Sequence, residues 1–205
     1  MKHTETQPFV LVSGDDPALE PSSELAAAVA AVQAARVIDR EAEAHRRSVL
    51  AFLAAHPDAL ERTCAEGHLT GSALVVDAAG RRTLLMLHRK LGRWFQPGGH
   101  ADGDGNLAHV ALREAAEETG LRDLRIAVPA VDIDVHRVRP PGEASHLHLD
   151  VRYLVIAPAN AVEVGNEESL ELRWVIEADL AGLGADPSTR RLVRRGLGVA
   201  ARVLA

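Results

Sequence analysis

The chain has little of several features that would place it in a specialised class. It contains one cysteine, Cys64, so an intrachain disulfide framework is excluded. Lys and Arg number 23 against 29 Asp and Glu, so no overall positive charge indicates a nucleic-acid polymer as partner. No apolar run is long enough to predict a signal peptide or a membrane span. These absences favour a cytoplasmic protein without a membrane partner.

The order of patterns along the chain predicts an α/β fold. Residues 1–65 are expected to form a largely helical N-terminal extension, with a short strand at 9–12 and a helix that runs, with a break, from 21–24 to 55. Residues 66–205 are expected to form the main domain. Its strands are predicted at 69–76, 83–88, 131–138, 147–157 and 172–175, with a proline-containing loop at 139–142 and an amphipathic helix at 187–204. This order indicates a mixed sheet flanked by helices.

Residues 99–121, GHADGDGNLAHVALREAAEETGL, hold the most informative pattern. Asn106 is a predicted helix N-cap, and Gly120 stands where a left-handed C-terminal residue is preferred. Glu114, Glu117 and Glu118 are spaced to share one face of this helix, where like charges repel. A hard divalent cation would remove that repulsion, although a solvated acidic helix end is the alternative interpretation. The apolar stripe beside this face is Ala108, Ala111, Leu112 and Ala115.

This run resembles the Nudix box, G-x5-E-x7-R-E-U-x-E-E-x-G-U, in which U is a bulky aliphatic residue. The residues in register are Gly99, Arg113, Glu114, Glu117, Glu118, Gly120 and Leu121. Two positions depart from the pattern: Gly105 replaces the first box glutamate, and Ala115 occupies the first U position. The flanking sequences WFQPGG at 94–99 and LRWV at 172–175 also resemble those of the Nudix family. The resemblance covers residues 66–182.

The resemblance implies an α/β/α sandwich and a metal-dependent hydrolase. Its substrate would be a nucleoside diphosphate linked to another moiety, and which one is not indicated. The implied ligands of Mg²⁺ or Mn²⁺ are the carboxylates of Glu114, Glu117 and Glu118 with the backbone carbonyl of Gly98. The general base would be Glu114 or a carboxylate outside the box. Glu168 is the candidate there, in the acidic group formed with Glu167 and Glu171 before the 172–175 strand.

The substitution at Gly105 leaves two questions open. Without the first box glutamate, Arg113 needs another anion, and Asp102 or Asp104 could supply one; alternatively both are turn residues. The substitution also keeps open a catalytically silent Nudix domain that senses a nucleotide or a nucleotide-sugar. An isomerase of prenyl diphosphates is a weaker alternative because Cys64 is not evidently near the cleft. The helical extension offers a surface for a homodimer.

One strand carries a polar face that the box does not explain. His146, His148, Asp150 and Arg152 alternate along the predicted strand and therefore point to one side of the sheet. They are predicted to line the substrate cleft, with Arg152 meeting a phosphate. A water-facing outer strand and a zinc site are the alternatives. His100, beside the glycine pair, is a further substrate-binding candidate.

Overall fold

The computed structural model describes residues 8–139, 142 and 144–205. Its helices are α1 (Leu25–Ala34), α2 (Arg40–Ala55), α3 (Leu107–Thr119) and α4 (Pro187–Val203). Its strands are β1 (Val10–Ser13), β2 (Gly67–Val76), β3 (Thr83–His88), β4 (Arg93–Phe95), β5 (Gly98–His100), β6 (Arg125–Val138), β7 (His146–Ile156) and β8 (Ser169–Val175). Two short 3-10 helices span Pro17–Leu19 and Glu177–Ala181.

The strands form one mixed sheet between two layers of helices. Its order is β1-β6-β7-β2-β3-β4, with β5 paired to β2 and β8 paired to β3. Strands β2 and β7 run parallel, whereas β6 and β7 run antiparallel. A side chain at Gly71 of β2 would collide with Val110 of α3, and one at Gly196 of α4 would collide with Leu74 of β2. Because strand residues alternate, α3 and α4 cover opposite faces, which confirms the predicted α/β/α sandwich.

The N-terminal helices share the core of the sheet. Val32 of α1 and Val49 of α2 are fully buried in the same hydrophobic cluster as Leu69 of β2. Strand β1 pairs antiparallel with β6, and the Arg36 N–H donates to the Ala130 carbonyl of β6 at 2.8 Å. Residues 8–55 are therefore held against the sheet by apolar burial and by backbone hydrogen bonds.

Most predicted elements lie close to their predicted bounds. The interrupted N-terminal helix is α1 and α2, and α2 begins where the Asp39 carboxylate accepts from the Ala42 N–H at 2.9 Å. Strand β6 begins at Arg125, before the predicted start. The loop predicted at 139–142 includes Pro140 and Pro141, which lie outside the described residues.

Within the described ranges, no helix combines the length and the apolar character that a bilayer crossing requires.

Candidate active site

Helix α3 presents the three box glutamates from a well-capped scaffold. The Asn106 side chain accepts a backbone N–H of the first turn at 3.3 Å, and Gly120 adopts a φ of 67° at the C-cap. Both caps were predicted from the sequence and are confirmed. The predicted apolar stripe, Ala108, Ala111, Leu112 and Ala115, is buried against the sheet. This burial fixes the rotation of α3 and therefore the direction of Glu114, Glu117 and Glu118.

The glycine pair of β5 lets its backbone approach two of these carboxylates. The Gly98 N–H donates to Oε2 of Glu118 at 2.9 Å. A Cβ at Gly99 would lie closer than 3.0 Å to the carboxyl group of Glu114, and one at Gly98 would be equally close to Oγ of Ser72. A larger residue at either position would push the strand away from its neighbours. The close packing of β5 therefore depends on Gly99 where the strand meets α3 and on Gly98 where it meets β2.

Arg113 ties α3 to β5. Its guanidinium donates to the His100 carbonyl at 3.0 Å and to Oε1 of Glu114 at 2.7 Å. The first contact fixes the end of the glycine strand, and the second orients a box glutamate. Arg113 is thus placed to position the site rather than to bind a substrate directly.

The site carries crowded negative charge. Burial raises the pKa of Glu118 to about 8, the Gly98 N–H opposes that rise, and the carboxylates of Glu114, Glu168 and Glu117 add to it. Burial also raises the pKa of Glu114, an effect that the neighbouring Arg113 partly offsets. The carboxylates of the site therefore outnumber the guanidinium of Arg113. An all-oxygen, acidic donor set of this kind suits Mg²⁺ or Mn²⁺.

Two of the three box glutamates make hydrogen bonds within the protein. Glu114 pairs with Arg113, and Glu118 accepts from Gly98. Groups of three ligand atoms that all lie within 4.8 Å of one another are found elsewhere in the described ranges: His68, His146 and His148, and His56, Cys64 and Glu66. Binding of one cation by all three box carboxylates would therefore bring their oxygens closer together than they lie in this structure.

Glu168 is the residue of the predicted acidic group that acts on the box. Its carboxylate is exposed and contributes to the raised pKa values of both Glu114 and Glu118. Its backbone is held at the end of β3, where the Arg89 N–H donates to the Glu168 carbonyl at 2.8 Å. Glu171 pairs instead with Arg173 at 2.6 Å. Among the three acids considered, Glu168 is therefore the best placed candidate base.

The segment before α1 covers the box loop at Gly105. The Gly105 N–H donates to the Ser22 carbonyl at 2.5 Å, and a Cβ at Gly105 would lie closer than 3.0 Å to the Glu24 backbone oxygen. The Asn106 side chain also donates to the Glu20 carbonyl at 2.9 Å. The position of the first box glutamate in the Nudix pattern is therefore packed against N-terminal backbone, which leaves no room for a side chain.

The two aspartates of the box loop have partners other than Arg113. Asp102 pairs with Arg62, whose Nε lies 2.7 Å from Oδ1, and Asp104 lies 2.6 Å from Nδ1 of His109. Both aspartates line, with Arg113, an open cleft of about 350 Å³. The structure corrects only the expectation of a direct pair with Arg113, because each aspartate pairs with another residue; the charges of both still act on Arg113.

The predicted phosphate-binding role of Arg152 is also corrected. Arg152 is 3% exposed and donates to Asp150 at 2.6 Å and to Asp134 at 3.1 Å. The same buried network contains Asp132, Arg191 and Arg195. Three carboxylates and three guanidinium groups thus neutralise one another between the sheet and α4. A charge paired in this way is not available to a substrate phosphate.

This network supports the glycine strand from the face opposite α3. The Thr70 and Ser72 hydroxyls donate to Asp150 at 3.0 and 2.8 Å. Ser72 in turn lies directly against Gly98. Asp150 therefore has a structural place beside the box rather than in a substrate cleft.

The structure brings the predicted residues His100, His146 and His148 together. Two further histidines that the sequence analysis did not select, His68 and His136, join them, with neighbouring ring centroids 4.7 to 5.5 Å apart. The available signal was the alternation of His68 with Thr70 and Ser72 in β2 and of His136 with two aspartates in β6. This alternation shows which face of each strand a histidine occupies. It does not show that the histidines of different strands meet, because that depends on the strand register, which local sequence pattern does not predict.

Comparisons with known proteins place this geometry in context. A sequence model of the NUDIX domain matches residues 68–195. A curated relative, putative 8-oxo-dGTP diphosphatase 3 of Mycobacterium tuberculosis, is 32% identical over 114 residues, which are 53% of this chain and 51% of the relative. The chain thus spans about half the length of the curated relatives it matches.

Two solved structures share the fold. The C. elegans Ap4A hydrolase matches with a TM-score of 0.55 and 17% identity, over 65% of this chain and 98% of that chain. The E. coli dihydroneopterin triphosphate pyrophosphohydrolase matches with a TM-score of 0.52 and 16% identity, over 63% of this chain and 94% of that chain. At these identities the likeness concerns the fold.

Proposed function

Because the chain belongs to the NUDIX domain family, we propose that it is a divalent-metal-dependent pyrophosphohydrolase. The observation that carries the proposal is the packing of the glycine strand β5 against Glu114 and Glu118, with Glu117 on the same helix and the charge of Glu168 nearby. This arrangement concentrates carboxylates around one short backbone segment, as a phosphoryl-transfer metal site requires.

The residues that would hold the cation are the three box glutamates and the Gly98 carbonyl. They offer oxygen ligands only, which suits Mg²⁺ and Mn²⁺. When bound, such a cation neutralises phosphoryl oxygens and lowers the pKa of a bound water. The raised pKa values of Glu114 and Glu118 support this assignment, because crowded, partly buried carboxylates gain from a neighbouring positive charge.

The protein's own groups would position the attacking water. Glu168 is exposed beside the box and can accept the proton of a water that attacks the diphosphate. Arg113 holds Glu114 in place and fixes the end of β5, so its contribution is to orientation. His100 lies in that same strand and stays a substrate-binding candidate.

The substrate class is proposed from what the relatives' names have in common. The curated relative is named for 8-oxo-dGTP, and a solved relative is named for Ap4A. Both molecules contain a nucleoside joined to a phosphoanhydride. We accordingly propose a nucleoside diphosphate linked to another moiety as substrate, without preference for a base.

A catalytically silent sensor is the second candidate, and Gly105 is the observation that favours it. The N-terminal backbone excludes the first box glutamate, and a domain that only binds a nucleotide does not need that residue. Retention of Glu114, Glu117 and Glu118 favours hydrolysis, because binding alone has little use for three acids on one helix face.

Turnover of a substrate panel separates the two candidates. The full chain is incubated with nucleoside triphosphates, 8-oxo-dGTP, ADP-ribose, nucleotide sugars and dinucleoside polyphosphates, with and without Mg²⁺ or Mn²⁺, and the products are separated by chromatography. Metal-dependent release of a nucleotide product supports the hydrolase. Metal-independent binding of a panel member without product supports the sensor. Cytoplasmic location and homodimer formation stay predictions.

A further inference from the structure

Five histidines meet at one end of the polar face of the sheet. Strand register places His68 of β2 beside His148 of β7, and His148 beside His136 of β6. His146 lies two residues before His148 on the same face of β7. His100 of β5 pairs with Thr70, which follows His68 by two residues on the same face of β2. This concentration arises from strand pairing alone and lies outside the carboxylate cluster of the box.

Three of these side chains have the spacing of a metal site. One ligand atom from each of His68, His146 and His148 lies within 4.8 Å of the others. Three nitrogens around one Zn²⁺ are roughly 3.3 Å apart when each Zn–N bond is about 2.0–2.1 Å. Modest rotation of the imidazole rings can close this difference, because each ring turns about two side-chain bonds.

A second observation points to a missing ligand. His68 is 2% exposed, and neither of its ring nitrogens makes a hydrogen bond of normal geometry within the described structure, although the Cys64 backbone lies close enough to act on the ring. Nε2 of His148 is likewise buried without a partner. Buried polar atoms of this kind cost free energy unless they are satisfied. A simple stack of histidines leaves that cost in place, whereas a coordinated cation removes it.

The surroundings prepare the rings to act as ligands. A neutral imidazole keeps one ring nitrogen with a free lone pair for a metal ion. Nδ1 of His146 lies 2.9 Å from the Ala144 carbonyl; a proton on Nδ1 would leave Nε2 as the ligand atom.

We propose that His68, His146 and His148 bind one Zn²⁺ ion that joins the start of β7 to the start of β2. All three ligands are imidazoles, which suit zinc and not the hard cations expected at the box. His100 and His136 flank the site, with ring centroids 5.2 and 5.5 Å from that of His148. Nδ1 of His136 lies 3.0 Å from the Asp134 carboxylate. The zinc site does not rest on the proposed hydrolase function.

Metal binding to the tag-free full chain tests the existence of this site. Protein stripped with a chelator is titrated with Zn²⁺ by calorimetry in excess Mg²⁺, and with Co²⁺ by visible absorption, since Co²⁺ reports its coordination spectroscopically. We expect one equivalent to bind and to raise the melting temperature, and Co²⁺ to give the intense bands of a tetrahedral site in which three of the ligands are imidazoles. Failure of the folded wild-type chain to bind Zn²⁺ would overturn the proposal.

Variants and matched controls then locate the ion. His68→Gln and His148→Gln should each weaken Zn²⁺ binding by at least roughly tenfold. Cys64→Ser removes the thiol of the separate group His56, Cys64 and Glu66, and Glu117→Gln alters the box; neither should change the affinity. Loss of Zn²⁺ binding in either control, with retention in the histidine variants, would place the ion elsewhere. Circular dichroism of the metal-free variants checks folding.

Histidine NMR on the wild-type chain locates the ion without any substitution. Long-range ¹H–¹⁵N spectra resolve the ring nitrogens of the histidines. Zn²⁺ should shift the ring signals of His68, His146 and His148 by coordination. Shifts confined to other histidines, such as His56, would contradict the assignment even where a variant fails to fold.

Discussion

At the scale of single residues, the proposed role of Glu168 as the general base is open to a direct test. Its charge reaches Glu114 and Glu118, whereas the adjacent Glu167 contacts Arg89 through its backbone carbonyl. Replacement Glu168→Gln should lower kcat by about 10²- to 10⁴-fold, the usual contribution of a general base, with little change in KM. The matched variant Glu167→Gln should keep most of the activity. Equal losses in both variants would indicate an effect of loop charge instead.

Gly99 is the glycine whose close packing bears directly on the carboxyl group of Glu114. A methyl group there would lie closer than 3.0 Å to the Glu114 carboxyl group, so Gly99→Ala should displace that carboxylate and lower activity at least about 10-fold. Gly198→Ala, in α4 with open space at the position of the added Cβ, should keep activity and stabilise the protein by roughly 0.5–1 kcal/mol. Steady-state kinetics and thermal unfolding of the pair distinguish the two outcomes; full activity of Gly99→Ala would contradict the proposed packing.

At the scale of elements, the N-terminal segment and the box loop form one unit. Gly105→Glu restores the residue of the Nudix pattern, but its Cβ would collide with the Glu24 backbone oxygen. We expect this substitution to destabilise the protein by about 1–3 kcal/mol through overpacking and to make the segment around residue 22 more sensitive to protease. Thermal unfolding and limited proteolysis measure both effects. A Gly105→Glu variant as stable as wild type would show that the segment does not occupy this position.

Helix α2 offers a pH-dependent test of its attachment to α4. Burial raises the pKa of Asp39, but backbone N–H groups of α2 and the guanidinium of Arg195, 2.5 Å away, bring it below its ordinary value. A lowered folded-state pKa stabilises the protein at pH values above the unfolded pKa of 3.8, and that contribution is lost as pH falls through the folded pKa. Arg195 keeps Asp132 as a second partner.

Two replacements of Asp39 separate its two contributions. Asp39→Asn keeps the cap and should cost about 0.2–1 kcal/mol near pH 7, as for partly exposed ion pairs. Asp39→Ala also removes the cap and should cost roughly 1 kcal/mol more. The difference between wild type and Asp39→Asn, measured by denaturant unfolding, should shrink as pH falls below 3.8. A difference that stays constant across that range would contradict the electrostatic assignment.

At the scale of the whole molecule, local pattern predicts the elements and the box but not the partners that distant segments supply. The caps at Asn106 and Gly120 follow from residues within one helix, and their geometry is confirmed. The burial of Arg152 depends on aspartates of β6 and arginines of α4, which only the folded sheet brings together. Alternation along β7 correctly grouped its polar residues on one face, but it did not indicate whether that face meets water, substrate or another element.

Two other long-range contacts were not predicted from the sequence, for the same reason. Gly105 faces the backbone of residues 22–24, far from it along the chain, and no local pattern predicts that contact. His68 meets His148 through the parallel register of β2 and β7. Parallel pairing between distant strands is set by the whole topology, so a histidine site divided between these strands is visible only in the folded chain.

The most direct test of the proposed function is turnover by Glu117→Gln beside its matched control Glu171→Gln. Glu117 is an exposed acid of the box, and Glu171 is an exposed acid that pairs with Arg173. With the best substrate of the panel and saturating Mg²⁺ or Mn²⁺, wild type and Glu171→Gln should turn over at similar rates. Glu117→Gln should fall by at least about 100-fold. Undiminished turnover by Glu117→Gln would contradict the assignment of the box as the hydrolytic centre.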